Sequence, residues 1–233
     1  MSRPLEVAPK VSSTVEPSRP STRHSARHAV RRTVDGGRRA ARVARNALRR
    51  RLGQPDYKRW SSPECLEESW DERTKQLAQL VPPGSRLIEF GAGRRQLQNY
   101  LPPGCTYIPS DLVNRGPDTI VCDLNERPLP SLWPASATVA VFGGVLEYIR
   151  DVPGLVRWLA DQGVKTCVAS FDTMPTGLTV IGRCRELFRR SYNGYMNSLT
   201  EQELLTIFKT VGFECMERQT WHTQIITQFV IGS

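Results

Sequence analysis

Long apolar runs are missing from this sequence. No stretch approaches the roughly 20 consecutive apolar residues that cross a bilayer, so a membrane-spanning segment is not expected. The first residues also lack an apolar core of the secretory kind, since Glu6 and several prolines interrupt them. Paired cysteines are missing too. Cys65, Cys105, Cys122, Cys167, Cys184 and Cys215 are scattered with no CxxC spacing, which argues against structural zinc and against a disulfide framework. Cys122 and Cys167 fall in apolar strand-like runs, where a thiol serves as a small hydrophobe. A reduced, cytoplasmic protein without a metal site is the expectation. Histidine is scarce, and His222 is the only one of the three beyond the N-terminal stretch.

Charge is present but unevenly placed. Met1 to Leu52 carries 14 basic and 3 acidic residues, so the net +9 of the 233-residue chain belongs to this stretch and the remainder is slightly acidic. Residues 1–57 read as a disordered basic tail, because the Pro-, Ser- and Arg-rich start cannot bury enough surface to offset its ordering entropy. A short Arg-rich helix is expected within it from Gly37 to Leu52, with Ala40, Ala44, Ala47 and Leu48 at helical spacing. Such a tail is a solvated arm, or is drawn electrostatically to an anionic membrane surface or to nucleic acid phosphates. No aromatics interleave with the arginines, which disfavours base stacking.

Residues 58–233 read as one α/β domain. A helix is expected over Trp60 to Leu80, ended by Pro82-Pro83-Gly84. Leu87-Ile88-Glu89-Phe90-Gly91-Ala92-Gly93 is a short strand running into a glycine turn, and a helix is expected from Arg94 to Leu101. Glycine lets the chain turn sharply and lets a ligand touch its backbone. Further strands are expected at 105–109, ending near Asp111, at 119–122, ending near Asp123-Leu124, at 137–142 and at 166–171. A helix is expected from about Val152 to Asp161. Thr200-Glu201-Gln202-Glu203 is a capping box opening a helix, and two terminal runs, 213–221 and 224–231, pair as a hairpin. Alternating strands and helices indicate a doubly wound, mostly parallel sheet. Asp111 follows Glu89 by about 20 residues, the interval at which a nucleotide site places a ribose-binding acid.

Four strand ends thus carry signals in order, and together they resemble the class I S-adenosylmethionine-dependent methyltransferases. The likeness covers roughly Trp70 to Ser233 and is carried by Leu87 to Gly93, Asp111, Asp123-Leu124, the segment Phe142 to Val152 and the late segment from Ser198 to Phe213. It implies a seven-stranded sheet of order 3-2-1-4-5-7-6 with strand 7 antiparallel. It further implies S-adenosyl-L-methionine as cofactor: Gly91 and Gly93 approach its amino acid portion, Glu89 organises that loop, Asp111 binds ribose, and Asp123 and Leu124 frame adenine. One departure stands out. The third glycine common in this loop is Arg95, which either faces solvent or reaches the cofactor carboxylate. Gln96 stands where a dinucleotide fingerprint has glycine, so NAD and FAD are disfavoured.

Methyl transfer to a hydroxyl usually needs a base. Tyr148, Asp172 and His222 are the candidates near strand ends, whereas Glu147 taken alone reads as a surface or capping acid. The insertion Thr173 to Ser198 contains Val180, Ile181, Cys184, Leu187 and Phe188 at helical spacing, with Arg183, Arg185, Arg189 and Arg190 beside them. It is either a lid whose arginines favour an anionic acceptor, or a helix packed on the sheet with a solvated basic face. The expected function is methyl transfer to a small-molecule acceptor such as a saccharide or lipid-linked precursor. RNA or protein held by the basic tail is the alternative acceptor, and a non-catalytic cofactor-binding scaffold is the alternative class.

Overall fold

The computed structural model describes residues 22–131 and 136–232, with side chains from residue 36. The irregular chain expected from Met1 lies, as far as Ser21, outside the described residues. The chain divides into two compact units, with the division after Ala40. The second unit therefore contains the end of α1 (Thr22–Leu52), the helix expected only from Gly37.

That unit is built on seven strands: β1 (Arg86–Phe90), β2 (Thr106–Asp111), β3 (Ile120–Val121), β4 (Val139–Gly143), β5 (Thr166–Asp172), β6 (Phe213–Trp221) and β7 (Gln224–Ile231). Their order is β3-β2-β1-β4-β5-β7-β6. β5 pairs with β7 antiparallel while the pairs from β3 to β5 are parallel. This is the order that the resemblance to class I methyltransferases implied. β4 and β5 are buried almost throughout, as strands covered on both faces must be, and β4 is correspondingly an apolar run. β6 is the edge strand, and its exposed Glu214, Glu217 and Arg218, with a bulge between Cys215 and Glu217, discourage pairing with another chain.

The pleat divides the core in two. Ile88, Phe90, Ala140 and Phe142 face α4 (Val152–Asp161) and α6 (Glu201–Lys209), while Leu87, Val139, Val141 and Ile226 face α3 (Asp71–Gln79). The capping box of α6 forms as expected, with Thr200 Oγ1 accepting from Glu203 N and Glu203 Oε2 accepting from Thr200 N.

Two helices differ from expectation. The helix expected over Trp60 to Leu80 is broken into α2 (Tyr57–Ser61), two single 3₁₀ turns and α3. Pro63 starts the first of those turns because it has no N–H to continue α2. The helix expected from Arg94 to Leu101 shrinks to a 3₁₀ turn at Gln96–Asn99. Arg95, at φ 56, adopts the left-handed conformation and cannot start an α-helix.

Candidate active site

A cavity of about 250 Å³ opens at the carboxyl ends of β1, β2 and β4. This is where a doubly wound sheet leaves a crevice for ligands. Gly91, Gly93, Asp111, Asp123, Leu124 and Tyr148 line it. Glu89, Asp172 and His222 do not.

The β1 turn is held open by geometry. Gly91 has φ 71, and a Cβ there would come within 2.5 Å of Val145 Cγ2. The carboxylate that organises this turn is Asp111. Its Oδ2 accepts from Gly93 N at 2.8 Å and its Oδ1 from Val113 N at 3.2 Å. Arg115 Nε lies 3.4 Å from the same Oδ2, close enough for an ion pair though not aligned as a hydrogen bond. Glu89 shares the α3 face of β1 with Leu87 and is buried there. It accepts from Tyr107 Oη, and burial pushes its carboxyl up to about 8. Asp111 thus touches the loop directly, and Glu89 sits behind it.

Arg95 follows neither expected course. Its Nη1 donates to Asp118 Oδ1 at 2.8 Å and its Nη2 to Thr119 Oγ1 at 2.6 Å, so it staples the β2–β3 connection from outside the cavity. Without an α-helix after the glycine turn, the site also lacks the helix N-terminus that holds a pyrophosphate.

Beyond β3, Asp123 Oδ1 accepts from Asn125 N, and Asn125 Nδ2 donates to Tyr148 O at 2.9 Å. This joins the segment after β3 to the turn after β4. Leu124 and the buried Cys122 supply an apolar wall.

The turn after β4, Leu146 to Ile149, is clasped by the chain that follows α5 (Val180–Asn193). Met196 N donates to Glu147 O at 2.8 Å, and Asn197 Nδ2 donates to both Leu146 O and Ile149 O. Tyr148 is thereby edge-on to Tyr195 and to Trp60, with centroids 5.3 Å and 4.9 Å away. Burial raises the Tyr148 phenol above its ordinary range, so it is protonated at neutral pH.

The other base candidates are placed elsewhere. Asp172 is spent on a network: Arg189 donates to both of its oxygens at 2.8 and 2.9 Å, and Tyr195 Oη donates to Oδ2 at 3.0 Å. His222 is exposed at the β6–β7 turn with φ 50.

Two residues that shape the cavity escape sequence reasoning. Glu147 is not a surface acid: it is buried, its Oε1 accepts from Asp172 N at 2.7 Å, and its Oε2 has no partner. Burial pushes its carboxyl up to about 7. Arg73, on α3, is also buried. It donates to Gly143 O at 3.1 Å and Gln224 Oε1 at 3.3 Å, and its Nε is unpartnered. Burial pulls its pKa down, opposed by the charge of Glu147. A Cβ on Gly144 would strike Arg73 Nη1 at 2.5 Å. The available signal for Arg73 was its position one turn before Leu77, on the apolar side of α3.

No protein-family model and no curated protein matches the sequence. Solved structures do match the fold. A Burkholderia thailandensis 1,6-didemethyltoxoflavin N1-methyltransferase, crystallised with its substrate and S-adenosylhomocysteine, shares 14% identity over 72% of this chain and 80% of its own, with a TM-score of 0.51. A candidate O-methyltransferase of Nostoc punctiforme aligns over 81% of this chain and 68% of its own at 9% identity and a TM-score of 0.58. Human N-acetylserotonin methyltransferase, solved with S-adenosylmethionine, aligns at 14% identity and a TM-score of 0.51 over 76% of this chain, which spans 56% of the human chain. The fold is that of the class I methyltransferases.

Proposed function

We propose that this chain is an S-adenosylmethionine-dependent methyltransferase acting on a small molecule. The observation that carries the reading is the polarity of the cavity: a buried cation, Arg73, at the β4 side and a buried carboxylate, Asp111, at the end of β2. The residues fit the cofactor. The guanidinium of Arg73, which lines the cavity with its Nη1 beside Gly144 and its Nε unpartnered, suits the amino acid carboxylate. Asp111 retains lone pairs for ribose hydroxyls beyond those given to Gly93 and Val113. Asp123, Leu124 and Asn125 would border adenine.

When bound, the cofactor supplies a methyl group on a sulfonium, which is its own leaving group. What remains for the protein is to orient the acceptor, exclude water and take up a proton where the acceptor is a hydroxyl. Tyr148, protonated, is suited to donate a hydrogen bond and not to act as base. Glu147, pushed up to about 7 with a free Oε2, is the carboxyl we assign to proton uptake. Trp60, Tyr148 and Tyr195 form an aromatic wall for an apolar acceptor portion. The small-molecule acceptors of the structural neighbours favour a small acceptor over a polymer.

Calorimetry with S-adenosylhomocysteine tests the reading. Wild-type protein should bind, and Arg73→Met should lose at least about tenfold in affinity, as expected for a charge-assisted contact. No binding at millimolar ligand would end the proposal.

A further inference from the structure

The helix α5 is turned inside out. A water-exposed helix ordinarily buries its apolar stripe and offers its charges to solvent. In α5 a charged face is turned inward: Arg190 is 1% exposed, and the half-buried Arg189 and Glu186 join it around Asp172 in an ion-pair network. The apolar face looks outward, with Val180 80% exposed, Ile181 68% and Phe188 49%, and with Leu187 and Cys184 exposed beside them. At 3.6 residues per turn these five side chains fill one sector about 120° wide. Arg183 borders that sector on one side and Arg185 on the other, both exposed. Leu178, just before the helix, extends the apolar patch.

This arrangement is anchored and not accidental. Thr179 caps the helix start by accepting from Gly182 N at 3.2 Å. At the other end Asn46 of α1 donates to Ser191 O and Tyr192 O, and the Arg42 guanidinium lies 4.3 Å over the Tyr192 ring. Asn46 is thus tied to the last turn of α5 from a segment whose Arg45, Arg50 and Arg51 are exposed.

We propose that α5 is an interfacial helix that seats its outward apolar face in an anionic lipid surface. A polar rim of arginines around an apolar face matches the chemistry of such a surface, where the side chains enter the acyl boundary and the guanidinium groups remain among phosphates. Charge also decides between occupants. A second copy of the chain seated on this face would bring Arg183 and Arg185 of both copies together, and the neighbouring segment of α1 would add cations rather than compensate them. An anionic surface meets Arg183 and Arg185 with the opposite charge.

The test is co-sedimentation of the full chain with phosphatidylcholine vesicles that either contain or lack phosphatidylserine. The protein should bind the anionic vesicles, more weakly as salt rises. Ile181→Asp and Phe188→Asp should each reduce binding by at least about tenfold. Ile181 is 68% exposed, so thermal unfolding of its variant should be unchanged and the loss attributable to the surface. Three results would overturn the proposal: no binding of wild-type protein to anionic vesicles; equal binding by the two variants, which would leave the arginines alone responsible; or a concentration-dependent dimer that Ile181→Asp dissociates, which would identify a second copy as the occupant.

Discussion

Asp111→Asn isolates the charge that holds the candidate cofactor loop. The substitution preserves shape but makes one of the two terminal atoms a donor. In the wild type both carboxylate oxygens receive backbone N–H groups, Gly93 at Oδ2 and Val113 at Oδ1. An amide in either orientation therefore points its NH₂ at another N–H. One hydrogen bond is lost, and a buried backbone donor is left unsatisfied, at a cost of about 1–3 kcal/mol. The 3.4 Å pair with Arg115 is lost as well, and both side chains are largely buried, so solvent does not compensate. A total near 3 kcal/mol is reasonable at the lower end of these ranges. At about 2–4 °C per kcal/mol for a chain of this size, Tm should fall by about 6–12 °C. Differential scanning fluorimetry reads that shift, and calorimetry at a temperature where the variant is folded should show S-adenosylhomocysteine affinity reduced at least about tenfold, as the loop loosens and a ribose acceptor is weakened. A variant with unchanged Tm and unchanged affinity would refute the assignment of Asp111 as the tie between β2 and the glycine turn.

Other outcomes follow from the same geometry. Glu147 and Glu89 have folded pKa values raised to about 7 and about 8 by burial, against an ordinary value of 4.5. The folded state holds their protons while the unfolded chain has released them, so their contribution to stability is fullest below pH 4.5 and is lost as pH rises through 7 to 8. Glu147 faces Arg73 and Asp172, and Glu89 faces Tyr107, Asp111 and Arg73. Glu147→Gln should flatten part of that decline in Tm between pH 5 and 8.5, and an unaltered slope would contradict the burial of this carboxyl. Arg95→Gly relieves a left-handed side chain, whereas Arg95→Ala keeps that strain and loses the same bonds to Asp118 and Thr119. The glycine variant should be the more stable of the two by about 1 kcal/mol in urea titration, and both should keep wild-type affinity for S-adenosylhomocysteine because Arg95 lies outside the cavity. Asn46→Ala removes two hydrogen bonds from the end of α5 and should cost about 1–2 kcal/mol. Hydrogen exchange should quicken in Ser191 to Met196, and protection equal to wild type would show that α1 does not hold α5.

The legibility of this protein was uneven, and the division has a physical cause. Periodicity and turn chemistry were enough for the sheet. The nearly continuous apolar run at 137–142 marked β4 as a buried strand, Thr200 and Glu203 announced the start of α6, and glycines 91 and 93 with the acids at 111 and 123 marked successive strand ends. Each of these signals is local, or is repeated at a spacing the backbone enforces. The structure alone decided which face of a helix is covered. The spacing of Val180, Ile181, Cys184, Leu187 and Phe188 showed that they share a side of α5, but only the buried ion-pair network around Asp172 turned that side outward. The same reason separates Glu147 from the surface acid it resembled, and drew Asp172 into a network with Arg189 and Tyr195. It also sent Arg95 to Asp118 and Thr119, and Arg73 into the cavity from a helix that precedes the sheet. A side chain's neighbours along the chain determine its direction on an element. What it meets there is supplied by residues far away in sequence, and burial, pairing and protonation depend on that meeting.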